Sequence, residues 1–356
     1  MRKWGIIISL LATVIALVSF TANDSEADSL RKIYSQSPDK WPKPFIDAGV
    51  DWKELGILPE SPLESQKDSL KHIIELGKVL FFDERLSGSG KISCASCHQP
   101  ELNWTDGKEK SIGHEGALNK RNSPTIQNSW FYKKLFWDGR SNSLEDQAFA
   151  PINSESEMHS EMPELSRKLR QIKGYTPLFE AAFGDASINP HRITEAIAVF
   201  ERTIVSRKSK FDEFLSGNKR ALNNDELKGL HLFRTKARCM NCHNGPLFSD
   251  NQFHKTNLPF TDNDDGLYKV THIEDDKGKF KTPSLRDVMN TAPWMHDGSI
   301  KDMTIVLELY RKGTPAADRL LKGFHLGRKE NLSHLLAFLK AISSPPIEFK
   351  KPVLPQ

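Results

Sequence analysis

Four cysteines occur in this chain, and all four stand in two copies of one pattern, Cys94-Ala95-Ser96-Cys97-His98 and Cys239-Met240-Asn241-Cys242-His243. This C-x-x-C-H spacing attaches c-type haem. The two thiols form thioethers to the porphyrin vinyl groups, and the histidine on the same turn supplies the proximal nitrogen to the iron. Redox dithiols or a split four-cysteine zinc site are the competing readings, but neither uses a histidine in both copies, and zinc half-sites usually lie closer together. The sequence therefore predicts two covalently bound haems, each serving as part of the core around it.

At 356 residues the chain is long enough for two domains, one per haem. Charged residues make up 27% and the formal net charge is +4, an ordinary balance that gives no sign of nucleic-acid binding. Residues 1–22 read as an export signal: Arg2 and Lys3, then an apolar run from Trp4 to Phe20. That run is near the lower limit for crossing a bilayer, so an uncleaved N-terminal anchor is the alternative. The mature protein is expected to face the periplasm.

Residues 23–63, with Trp41, Pro42, Pro44, Trp52 and Pro62, lack a period and read as an irregular arm whose tryptophans bury against the body. Helical spacing runs from Glu64 to Phe82 and leads into the first haem motif; a second helix leads into the other. Aligning Gly77 with Gly229 places Leu80 on Leu232 and Phe81 on Phe233, an internal repeat of one haem-binding unit. Thr194 to Leu215 reads as one long amphipathic helix stopped by Gly217, and Glu330 to Ile342 as another. Strand signals are scarce. The expectation is an all-α protein with long loops: an N-terminal haem domain at 64–217 and a C-terminal haem domain at 218–356.

The haem motifs, together with Ser111-Ile112-Gly113-His114, Arg121-Asn122-Ser123-Pro124-Thr125, Phe136-Trp137-Asp138-Gly139-Arg140, Glu157-Met158 and Thr291-Ala292-Pro293-Trp294-Met295-His296-Asp297-Gly298-Ser299, resemble the bacterial di-haem cytochrome c peroxidase and MauG superfamily over roughly residues 77–343. The resemblance implies reaction with hydrogen peroxide at the N-terminal haem and electron exchange through the C-terminal one. Glu157 then matches a distal carboxylate whose pKa rises beside haem, and Gln147 a second distal polar residue. Read from composition alone, Glu157 lies in a solvated acidic loop and Gln147 on an exposed helix face. Trp137 matches the tryptophan between the haems, though core packing alone would also account for it.

His114, sixteen positions beyond His98, matches a removable distal iron ligand on a loop flanked by Gly113 and Gly116. A surface histidine beside an already open haem is the alternative. The sixth ligand of the C-terminal haem departs from the peroxidase pattern. Family peroxidases place methionine fourteen residues after the histidine of His296-Asp297-Gly298, whereas this chain has Tyr310 there, as MauG does. Oxygen ligation favours the higher charge on iron. Met303, Met295 and Met289 are the alternative ligands, and a core tyrosine the bland one. Asn122, Thr291 and Pro293 match an inter-domain calcium site built largely from carbonyls and waters, a set that otherwise reads as two turns. Arg286 is a candidate partner for a haem propionate, or else a surface arginine.

Three functions follow as expectations. The first is a peroxidase using electrons from a small donor, a cytochrome c or copper protein. The second, strengthened by Tyr310, is a MauG-like oxidase of tryptophan or tyrosine on a protein or peptide. The third is a plain di-haem electron carrier. Family peroxidases are often homodimers.

Overall fold

The computed structural model describes residues 26–257, 264–313, 330–346 and 348–356; the export signal lies outside them. Among these residues no helix is long and apolar enough to cross a membrane. The architecture is helical: α1 (26–34), α2 (Lys71–Phe82), α3 (Cys94–Cys97), α4 (Leu144–Asn153), α5 (Met162–Gln171), α6 (Tyr175–Phe183), α7 (Pro190–Glu201), α8 (Lys210–Leu215), α9 (Asn224–Arg234), α10 (Tyr268–Thr271), α11 (Met303–Lys312) and α12 (Glu330–Ala341). A two-stranded antiparallel ribbon pairs β1 (Phe253–His254) with β2 (Phe280–Lys281).

Each half is organised by a crossed helix pair pressed together at a glycine. A Cβ on Gly77 would lie 1.8 Å from the Ala196 carbonyl oxygen and 2.8 Å from Phe200, so α2 and α7 touch backbone to backbone. In the second half a Cβ on Gly229 would lie 2.0 Å from the His334 carbonyl oxygen and 2.7 Å from Phe338, which gives α9 and α12 the same contact. The repeat expected from Gly77 and Gly229 is thus a repeat of packing. Phe81, Trp104, Phe200 and Phe349 meet at ring-centroid distances of 5.1–6.4 Å in the first core; Phe211, Phe233, Phe248 and Phe338 do so at 5.3–6.2 Å in the second. A fully buried phenylalanine contributes about 2–3 kcal/mol.

The single helix expected from Thr194 to Leu215 is two. α7 stops at Glu201 and α8 restarts at Lys210, where Ser209 and Asp212 form a reciprocal capping box that favours a new N-terminus. Phe211 and Phe214 belong to the second core, so the boundary between cores falls between Ile204 and Phe211 rather than at Gly217. The helix expected from Glu64 begins at Lys71, after a short 3-10 turn at Glu64–Gln66.

The chain ends cross over. The N-terminal arm includes helix α1 and packs on the C-terminal half: Tyr34 hydrogen-bonds His231, and Arg234 pairs with Glu54. Trp41 is buried as expected, but Trp52 is not. The C-terminal tail returns to the N-terminal half, where Phe349 stacks on Phe82 and the carbonyl of Gln356 accepts from Gly174 N–H at 2.9 Å.

The long loops that carry the chemistry are pinched by isolated antiparallel bridges: Gln99 with Thr105, Ile112 with Leu118, Leu135 with Ser141 and Trp294 with Ile300. The last two belong to a second repeat at one constant offset. Phe136-Trp137-Asp138-Gly139 corresponds to Met295-His296-Asp297-Gly298, with positive φ at Phe136 (64°) and Met295 (76°) and at Gly139 (74°) and Gly298 (70°).

Candidate active site

One continuous cavity of about 810 Å³ runs through the middle of the molecule, with Cys94, Cys97 and His98 at one end and Cys239, Cys242 and His243 at the other. His98 Nδ1 donates to the Trp104 carbonyl at 3.0 Å, and His243 Nδ1 to the Phe248 carbonyl at 3.0 Å. A carbonyl can only accept, so each ring carries its proton on Nδ1 and has the lone pair on Nε2, as an axial ligand requires. Burial lowers the pKa of both imidazoles and keeps them neutral. The same burial pushes the Cys97 thiol up to about 11 and raises Cys94 and Cys239 further, which disfavours the free thiolate that a redox dithiol needs. Two histidines pre-set through Nδ1, each beside a pair of cysteines in one cavity, fit covalent haem.

The wall of the N-terminal end brings together Gln147 from α4, Glu157 from the loop after it, and Trp137. Glu157 is half-buried. Desolvation raises its carboxyl above the usual range, against the opposing charge of Arg140. Its backbone is held to the 111–117 loop: His114 N–H donates to the Glu157 carbonyl at 2.8 Å, and a Cβ on Gly113 would lie 2.1 Å from the Ser156 carbonyl oxygen. The His114 ring does not line the cavity. It stacks on His159, 4.5 Å between centroids.

Trp137 stands where the halves meet. Its indole Nε1–H donates to the Asn122 carbonyl at 2.9 Å and its own carbonyl accepts from Lys281 N–H at 2.9 Å. Asn122, Thr291 and Pro293 all line the cavity near this junction. At the C-terminal end Tyr310, on α11, lines the cavity; burial, reinforced by the nearby Cys242 and Cys239 sulfurs, raises its phenol pKa in the protein without haem. Met303 and Met295 also line the cavity, whereas Met289 packs in the core behind it.

The propionate role expected for Arg286 is corrected. Its guanidinium is buried away from the cavity, paired through two nitrogens with Asp212 at 2.9 and 3.0 Å and donating to the Pro246 and Gly56 carbonyls. Lys281, by contrast, lies on the cavity wall, with Nζ 3.3 Å from the centroid of Tyr132 and burial lowering its pKa to about 7.

Sequence reasoning missed Lys281, and it missed Glu201, a buried carboxyl on the same wall. A signal for Glu201 existed: it continues the apolar stripe of Ile193 and Ile197 at four-residue spacing, where a solvent-facing acid has no place. Lys281 had none, because strand polarity alternates and only the fold decides which side is the cavity. His254 and Asp250, paired at 2.8 Å beside Cys242, were also missed.

The model of the family described as di-haem cytochrome c peroxidase matches residues 71–220. Methylamine utilization protein MauG of Methylophilus methylotrophus is 39% identical over 285 residues, spanning 79% of this chain and 85% of that protein. Cytochrome c551 peroxidase of Nitrosomonas europaea is 38% identical over 318 residues, spanning 87% and 92%. Among solved structures, a MauG-like protein associated with microbial copper homeostasis superposes with a TM-score of 0.71 at 30% identity, over 84% of this chain and 95% of that one. With its paired haem motifs in one cavity and relatives that match most of its length, the chain belongs to the di-haem cytochrome c peroxidase family and is a peroxidase-type oxidoreductase with two c-type haems.

Proposed function

We propose that this protein reduces hydrogen peroxide at its N-terminal haem with electrons from a small redox protein passed through the C-terminal haem, and that it does so without prior reductive activation. The observation that carries the reading is the Glu157 end of the cavity: a half-buried carboxyl of raised pKa facing the space above the first motif, while the His114 ring is stacked on His159 outside it.

Haem bound through these motifs supplies iron that binds peroxide at one end and a carrier of single electrons at the other. The chain's residues do the rest. Glu157 accepts the proton from one peroxide oxygen and returns it to the other as the O–O bond breaks, work suited to a carboxyl whose pKa has been raised. Gln147 orients peroxide through its amide. Trp137, bonded to Asn122 in one half and Lys281 in the other and lining the cavity that both motifs share, would relay electrons between the haems through its oxidisable ring. Lys281 offers a desolvated ammonium to a propionate in the same space. Asn122, Thr291 and Pro293 supply hard oxygens suited to a calcium ion at the junction. The mature protein is assigned to the periplasm, the reading supported by the N-terminal segment and by the chemistry of covalent haem.

Tyr310 favours a second reading. As an oxygen ligand to the C-terminal iron it would lower that haem's potential, and the pair would then withdraw electrons from tryptophan or tyrosine of a protein substrate, as in a MauG-like oxidase. Steady-state turnover with peroxide and a reduced cytochrome c or copper protein decides between them. Rapid oxidation of the donor supports the peroxidase; negligible oxidation, with a persistent spectral change after peroxide alone, supports the oxidase.

A further inference from the structure

Two carboxyls face the N-terminal end of the cavity, and the reading above uses only Glu157. The other, Glu201, is the last residue of α7. It is 4% exposed, it lines the cavity, and its Oε2 has no hydrogen-bond partner. An acid that served only to pack would cost free energy here unless both oxygens were satisfied.

The charges around it do not hold it as a carboxylate. Arg202, which acts on it, is paired with Glu145 of α4 at 2.8 Å. α2 turns Gly77 toward α7 and sends Lys78 over the Phe349 ring. α5 commits Lys168 to the Ser87 carbonyl, Arg170 to the Ile188 carbonyl and Arg167 to Glu164. From the haem-attachment turn Cys94, a neutral thioether once haem is joined, interacts with Glu201, and Glu157 lies on the same cavity wall. Burial, aided by Glu145 and opposed by Arg202, brings the Glu201 carboxyl to about 8. The positive charge that ferric haem iron would add to the pocket would lower that value and favour the carboxylate in the oxidised protein, and the loss of that charge on reduction would raise it again.

Reduction of one peroxide to two waters consumes two electrons and two protons. Glu157 moves a proton from one oxygen to the other and contributes none on balance, so the two consumed protons have to reach the peroxide oxygens by another route. We propose that Glu201 is a redox-linked proton acceptor: as one electron from the donor protein reaches the N-terminal haem, its carboxylate takes one proton from solvent, becomes a carboxylic acid and keeps that proton for the peroxide oxygens. This deepens the peroxidase reading and rests on it.

The test is the midpoint potential of the N-terminal haem, followed by spectroelectrochemistry from neutral to alkaline pH without peroxide. One proton per electron gives a slope approaching ~59 mV per pH unit, the tenfold change in proton concentration converted at one electron. The wild type and Glu157→Gln should show this slope, and Glu201→Gln should flatten it to less than half. A wild type with no slope, or Glu201→Gln with the wild-type slope, overturns the proposal. Should Glu201→Gln fail to load haem, reduced-minus-oxidised infrared spectra of the wild type and Glu157→Gln decide: both must gain a deuterium-sensitive carboxylic-acid C=O band, and its absence overturns the proposal. Neither measurement contains peroxide, so a protein that proves not to turn peroxide over fails the functional reading while Glu201 is still decided.

Discussion

Asn122 donates its backbone N–H to the carbonyl of His296 at 2.8 Å, across the line between the two halves. The loop repeat returns the bond: Lys281, at the position corresponding to Asn122, donates to Trp137, at the position corresponding to His296, at 2.9 Å. A reciprocal pair of backbone bonds fixes the relative placement of the two ends of the cavity, and Trp137 belongs to it.

Trp137→Phe keeps an aromatic ring at this junction but removes the indole N–H bonded to Asn122. One net hydrogen bond is worth about 1 kcal/mol, so the melting temperature should move little. Electron exchange between the haems should slow at least tenfold in stopped-flow reduction. An unchanged rate would leave Trp137 as packing alone.

Glu157→Gln preserves shape and removes the titrating group. Peroxide cleavage should slow by about 10²–10⁴-fold, the usual contribution of acid–base catalysis, with haem spectra nearly intact. In the wild type Glu157 must be ionised to accept a proton, so the rate should fall as pH drops through its pKa. Because burial raises that pKa, the acid limb should lie above the usual carboxylate range and vanish in the variant. An acid limb retained in Glu157→Gln would place the proton acceptor elsewhere.

Gly113→Ala tests whether the 111–117 loop positions Glu157. The new methyl would meet the Ser156 carbonyl oxygen at 2.1 Å and the Glu157 Cα at 2.8 Å, so the two loops must part. The expected result is slower peroxide cleavage with stability lowered by about 1–3 kcal/mol. Wild-type cleavage in this variant would mean that the contact does not set the Glu157 position.

Asp212→Asn leaves the Arg286 guanidinium buried and without its carboxylate. Breaking a buried pair on one side costs about 3–5 kcal/mol, which denaturant unfolding should register as a lower midpoint. Both haem spectra should persist below that midpoint, since the pair faces away from the cavity.

The haem-binding halves were legible because covalent attachment leaves a literal signature, and because Gly77 and Gly229 mark close helix crossings that only glycine permits. Glu157, Gln147, Trp137 and Tyr310 were singled out through motif register, and the structure brings all four to the wall of one cavity. Arg286 was misread because an arginine in the sequence carries no mark of its partner; Asp212, 74 residues earlier, claims it through the fold. The break between Glu201 and Lys210 was hidden because apolar spacing continues across it, while the Ser209–Asp212 cap that starts α8 is a local polar signal. The crossing of the two chain ends depends on tertiary contacts alone, such as Phe349 on Phe82, and no periodicity reports those.

The low-temperature EPR spectrum of the fully oxidised protein tests the central claim most directly. If His114 stays on His159 and Tyr310 ligates the other iron, a high-spin ferric signal should be present at once, before any reductant, and should change within one mixing time of adding peroxide. Two low-spin signals, one of which becomes high-spin only after a reducing equivalent is added, would contradict the account and make His114 a ligand that must first be released.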